Sequence, residues 1–167
     1  MSRAFVKEND EGDDGELPER PVPTHANYVT ARGLAQLQAR VRELAAECEA
    51  LKPASADDTE ARRRLRVAER DLRYFRAQLK RAELVQPAPD IGSVRFGARV
   101  TFCGSDGKEQ KVRIVGDDEA DAAAGDISWA SPLARALIGE REGDTVMWQR
   151  PSGATQIEIV AVAYDAA

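Results

Sequence analysis

Cysteine and histidine are nearly absent from this chain of 167 residues, which carries two of the first and one of the second. Cys48 falls on an apolar helical seam and Cys103 in a strand-like segment, so neither reads as half of a disulfide framework, and a reducing cytoplasm is the expected setting. His25 sits in a proline-flanked stretch without cysteine or histidine companions, which excludes a zinc site of the usual spacing and leaves it as a surface residue. Long apolar runs are missing too. No stretch approaches the ~18 residues of a membrane span, and the amino terminus lacks the apolar core of a signal peptide, so no membrane partner is expected.

What is present is a pair of heptads that mirror each other. Leu34, Leu37, Val41, Leu44, Cys48 and Leu51 step by three and four, and so do Leu65, Ala68, Leu72, Phe75 and Leu79, with Ala61 leading in. A fold-back near Ala54 and Ser55 pairs Cys48 with Ala61, Leu44 with Leu65, Val41 with Ala68, Leu37 with Leu72 and Leu34 with Phe75. The seam then closes within one chain. This predicts a monomeric antiparallel coiled-coil hairpin, with a rod of about 31 Å at 1.5 Å rise per residue, rather than a dimeric scaffold.

The remainder divides by composition. Residues 7–20 combine seven carboxylates with two glycines and a proline, and residues 1–27 read as a disordered acidic tail. Thr30 is placed to cap the first helix, over about 31–51; Pro53 stops it, and Ser55 with Asp58 reads as a capping-box-like start for a second helix reaching about Val85. Leu79, Ala82 and Val85 outrun the seam and are expected to pack on a carboxy-terminal body. The hairpin thus occupies 28–86, a proline-containing linker 87–93, and a second domain 94–167, where the apolar period changes to two. There the pattern predicts a strand through Val94, Phe96, Val100 and Phe102, a turn at 104–107, a strand through Val112 and Ile114, a short strand ISWA, a helix capped by Ser131 with Pro132 at its first position, and two last strands. The fold class is α+β, a helical hairpin followed by an antiparallel sheet with one short helix.

Charge separates these parts. The formal net charge is -5, yet residues 31–86 hold thirteen basic against nine acidic groups while both flanks are acidic. On the second helix Arg62, Arg66, Arg70 and Arg73 recur at helical spacing as one basic stripe, suited to an anionic partner. Asp57, Asp58 and Glu60 cluster at the turn, where acids also favour the helix dipole.

The segments YVTARGLAQL, RRLRVAERDLRYF, VRFGARVTF, RIVGDDEAD, GDISWASPLARALIGEREGD and IEIVAVAY resemble the Gre transcript-cleavage factors of bacterial RNA polymerase. The resemblance implies an FKBP-like body that docks on the rim of the polymerase secondary channel and a hairpin that enters it. It assigns rim contacts to Asp121, Ser131, Pro132 and Leu133. It also implies no catalytic activity or resident cofactor of the chain's own; magnesium would be held only jointly with polymerase. The turn departs from the family. It reads LKPASADDTEARRRL and lacks the family's Gly-Asp-X-Ser-Glu-Asn-Ala tip, and the hairpin is roughly a dozen residues shorter, about 9 Å of reach. Asp57, Asp58 and Glu60 are the substitute metal-ligand candidates, and the basic stripe is the candidate surface for nascent RNA or the channel wall. Two readings follow, a cleavage stimulator and a channel occluder, with occlusion preferred. An FKBP-like prolyl isomerase is the alternative enzyme reading; it needs an apolar aromatic groove, for which the body offers Phe96, Phe102, Trp129, Trp148 and Tyr164.

Overall fold

Thr30 starts the first helix as its residue type dictates: its hydroxyl accepts the Gly33 N–H at 3.0 Å, and α1 runs Ala31–Leu51. The computed structural model describes residues 17–86 and 92–165; the acidic residues before 17 and most of the 87–93 linker lie outside them. After α1 the chain turns through Pro53 and a 3-10 turn at Ala54–Ala56, and α2 returns over Thr59–Arg81.

All twelve seam positions are buried or half-buried, with Leu44, Cys48, Ala68 and Leu72 at the centre and Val41, Leu65 and Phe75 packed around them. The two heptads thus face each other within one chain, with Leu72, expected opposite Leu37, gathered in one cluster with Leu44 and Cys48. Burying such a leucine or phenylalanine contributes about 1.5–3 kcal/mol, which is why the pairing is internal. Burial also pushes the Cys48 thiol above its usual range, so it acts as a seam residue rather than a nucleophile.

Two details of the hairpin differ from expectation. Asp58, not Ser55, is the N-cap of α2, accepting the Glu60 N–H at 2.9 Å, while the Ser55 hydroxyl donates to the Lys52 carbonyl at 2.7 Å. A box needs a longer acid three residues on; Asp58 is short enough to cap by itself. The second helix also stops at Arg81. Residues Ala82–Leu84 form a strand, β2, in parallel register with β1, Asn27–Val29, because the extended chain before Thr30 offers a free edge beside it. Val85 continues that pairing, donating to the Val29 carbonyl at 3.0 Å.

The body is a five-stranded sheet in the order β5-β4-β3-β7-β6, with β3 Ala98–Gly104, β4 Glu109–Val115, β5 Asp126–Ser128, β6 Thr145–Arg150 and β7 Gly153–Tyr164. It is mixed rather than antiparallel throughout, since β4 and β5 run parallel. The connection that makes them so passes through two 3-10 turns, Asp117–Glu119 and Ala122–Ala124. The helix α3, Pro132–Leu137, is capped by Ser131, which accepts the Ala134 N–H at 3.3 Å. Val94, Val100, Phe102, Ile114, Leu137 and Ile159 are the heart of its core. Val94 contributes from outside β3, which opens four residues later than expected because Gly97 takes a left-handed turn, φ 85°. Of the five body aromatics, Phe102 is buried and Phe96, Trp129, Trp148 and Tyr164 pack half-buried on the same core, so they build it rather than line a groove.

Candidate functional site

The hairpin is joined to the body by three consecutive carboxylates. Asp117, Asp118 and Glu119 form the first 3-10 turn after β4, and each one receives a different part of the hairpin base. Asp117 bonds the His25 ring at 2.5 Å and accepts the Ser128 hydroxyl. Asp118 accepts the Tyr74 hydroxyl at 2.9 Å and the Gln78 amide at 2.8 Å. Glu119 accepts the Thr30 hydroxyl at 2.6 Å, Arg32 Nε at 2.7 Å and an Arg113 nitrogen at 2.9 Å. Its side chain is 2% exposed, so it is a buried charge satisfied by three donors. Arg32 spans onward to Asp126, and Arg113 also meets Asp126 at 3.3 Å and Asp165 at 3.1 Å.

Close backbone contact completes this elbow. A Cβ on Gly116 would stand 2.5 Å from the Tyr28 carbonyl, and one on Gly33 would stand 2.5 Å from a Glu119 oxygen. The Tyr28 ring packs 4.9 Å from Trp129 and 6.1 Å from Phe96. The hairpin base meets the body through hydrogen bonds of Tyr74 and Gln78 rather than through the expected apolar overrun of Leu79, Ala82 and Val85. Those three are half-buried at the base, and Leu84 is exposed.

Burial, then the bond to Asp118, pushes the Tyr74 phenol from its usual 10.0 up to about 12. A phenol held protonated more tightly in the fold than in the open chain lends stability that is complete below pH 10 and is lost as pH rises through about 12. Alkaline titration of the folded chain should therefore show loss of stability between those values, and Tyr74→Phe should remove that phase from a pH series of thermal melts.

At the far end, Asp57, Asp58 and Glu60 are exposed, and they do not converge. Asp58 is occupied as the helix cap, and among the described residues no three histidine, cysteine or acidic side chains come together as a metal-binding group. Arg62 folds back on the turn, donating to the Ser55 and Ala56 carbonyls at 3.1 and 3.0 Å. The tip is thus a hydrogen-bonded cap on the rod.

The basic stripe is distributed among internal partners. Arg62 serves the turn, Arg70 donates twice to Asp71 at 2.8 and 3.0 Å, and Arg73 holds Glu19. Hydrogen bonding to Arg73 holds the Glu19 carboxyl below its ordinary range, the largest influence on it. Residues 17–27, read as the end of a disordered tail, make defined contacts in the structure: Arg20 lies 3.9 Å over the Tyr74 ring, and His25 is a half-buried part of the elbow rather than a surface residue.

The rim residues separate by burial. Asp121 and Pro132 are exposed; Asp121 accepts the Ala123 N–H at 3.0 Å and opens the second 3-10 turn. Ser131 is half-buried with its hydroxyl used as a cap, and Leu133 lies in the body core. Asp121 and Pro132 remain as candidates for surface contact.

Sequence reasoning missed the three-carboxylate clasp. The signal was there in GDDE directly after the apolar strand RIV, but acids in a short turn read as solvated unless their partners toward the hairpin, 40 to 92 residues away, are known.

Residues 88–164 match the family described as "Transcription elongation factor, GreA/GreB, C-term". The transcription elongation factor GreB of Neisseria meningitidis is 46% identical over 105 residues, 62% of this chain and 64% of that protein. GreA of Psychrobacter arcticus is 44% identical over 108 residues, 63% of this chain and 68% of that protein. Among solved structures, GreA factor homolog 1 (Gfh1) of Thermus thermophilus is 21% identical, with 83% of this chain and 99% of that chain covered at a TM-score of 0.39.

Proposed function

This chain belongs to the GreA/GreB family of transcription elongation factors, and we propose that it docks on bacterial RNA polymerase through its body and places the hairpin in the secondary channel as an occluder without cleavage chemistry. The observation that carries this reading is the tip. Magnesium takes several oxygen ligands close to the ion. Here Asp58 is engaged as the cap of α2, which leaves Asp57 and Glu60 as the tip acids that could share such an ion with polymerase, on a rod about 9 Å shorter than the family's. The elbow supports the other half of the proposal: a rod fixed at its base by the ion pairs of Arg32 with the buried carboxylates Glu119 and Asp126 is aimed by the body that carries it. The chain acts on the enzyme it binds and carries out no reaction itself.

Transcript cleavage in stalled elongation complexes tests this. Added alone, the chain should produce no RNA shortening, and in excess it should suppress the shortening given by a cleavage-competent Gre factor. Asp57→Ala should leave that suppression unchanged. RNA shortening by this chain that disappears in Asp57→Ala would establish the cleavage reading instead.

A further inference from the structure

The segment just ahead of the hairpin lies across the face of α2 that carries the most basic groups. Glu19 bonds Arg73, with one contact at 3.3 Å and a second, shorter one. Leu17, Pro18 and Glu19 together line a groove with Arg66, Glu69 and Arg73. Arg20 anchors the segment from the other side: its guanidinium is 3.9 Å from the Tyr74 ring centre, 5.0 Å from that of Phe75 and 3.7 Å from Asp71.

The two contacts differ in strength by their surroundings. The Glu19–Arg73 pair is exposed on both sides, with side chains 62% and 57% accessible, and such pairs contribute little and weaken with salt. Arg20 sits on two rings, one of them buried, an arrangement that holds better. The segment is therefore tethered at Arg20 and releasable at Glu19. Glu19 is the last of seven carboxylates between residues 8 and 19, so the chemistry that leads into this contact is uniformly acidic.

We propose that residues 17–20 are a built-in competitor that occupies the cationic face of α2 with Glu19, and that single-stranded RNA is the ligand it displaces or yields to. Arg66, Arg70 and Arg73 lie on one face at intervals of four and three, neighbours about 5–6 Å apart along the helix, and a phosphate chain can meet them in series. A carboxylate on Arg73 is a substitute for one phosphate. The inference rests on the reading of α2 as a surface that meets an anionic partner, but it can be tested without polymerase.

Anisotropy of a labelled single-stranded 12-mer RNA, titrated with the full chain at low salt, supplies the measurement. Glu19→Gln, at an exposed position, should tighten binding by about threefold to tenfold, since one fewer carboxylate competes for the arginines, whereas Arg20→Ala, which frees the segment but removes a cation, should tighten it less. Placing Arg73→Ala beneath Glu19→Gln should abolish that gain. Equal affinity of all forms would overturn the proposal, and so would a gain that survives Arg73→Ala. Binding of an acidic peptide but no RNA, or no RNA binding by any form, would overturn it as well. None of these results touches polymerase occupancy, which the suppression of transcript cleavage reports independently.

Discussion

Replacing Glu119 with alanine is expected to lower the unfolding free energy by about 3 kcal/mol, more than any single exposed charge in the molecule could account for. Removing one partner from a buried ion pair costs about 3–5 kcal/mol because the remaining charge is left without compensation. The lower end applies here. Arg113 keeps Asp126 and Asp165, and Arg32 is half-exposed and keeps Asp126. The Thr30 hydroxyl, however, loses its acceptor at the start of α1, so the damage falls on the elbow itself. Glu119→Gln should recover much of the loss, as its amide oxygen still accepts from Thr30 or Arg32. Denaturant melts of the three forms check this. If the elbow sets the direction of the rod, Glu119→Ala should also lose suppression of transcript cleavage at concentrations where the chain remains folded.

The second large effect belongs to the seam. Leu44 is 2% exposed at the middle of α1 and packs with Cys48, Ala68 and Leu72. Truncation to alanine should cost about 2–5 kcal/mol, and Leu44→Asp should separate the helices, since a carboxylate there is buried with no donor within the seam cluster. The body should survive. Its core, around Phe102, Ile114 and Ile159, shares no residue with the seam. The expected result for Leu44→Asp is loss of much of the helical circular dichroism at 222 nm with retention of the tertiary signal of Trp148, which packs on Phe102 within the body. Binding to polymerase through the body would then persist while occlusion disappears.

The sequence carried the elements with strong local signals and lost those that depend on distant chain. The seam was legible because a three-four spacing leaves one solution once Pro53 breaks the helix. The Ser131-Pro132 helix start was legible because capping is local. The strand pair of residues 27–29 and 82–84 was not, since each segment is only three residues long and only the approach of the two hairpin ends makes them partners. The early end of α2 follows from the same contact. At the candidate site, spacing put the arginines on one face but could not show that Glu19, Asp71 and the turn carbonyls already engage three of them. Leu133 was assigned to a rim by resemblance, whereas its apolar side chain belongs to the core.

Photo-crosslinking from the hairpin tip would report where on polymerase the rod ends. A photoreactive amino acid at Ala54, exposed in the turn and bonded there only through its backbone carbonyl, would be carried by the full chain into a mixture with core polymerase. Crosslinks are expected to the subunit that lines the secondary channel, lost when a cleavage-competent Gre factor is added in excess. Crosslinks elsewhere on the enzyme, or channel crosslinks indifferent to that competitor, would contradict placement of the hairpin in the channel.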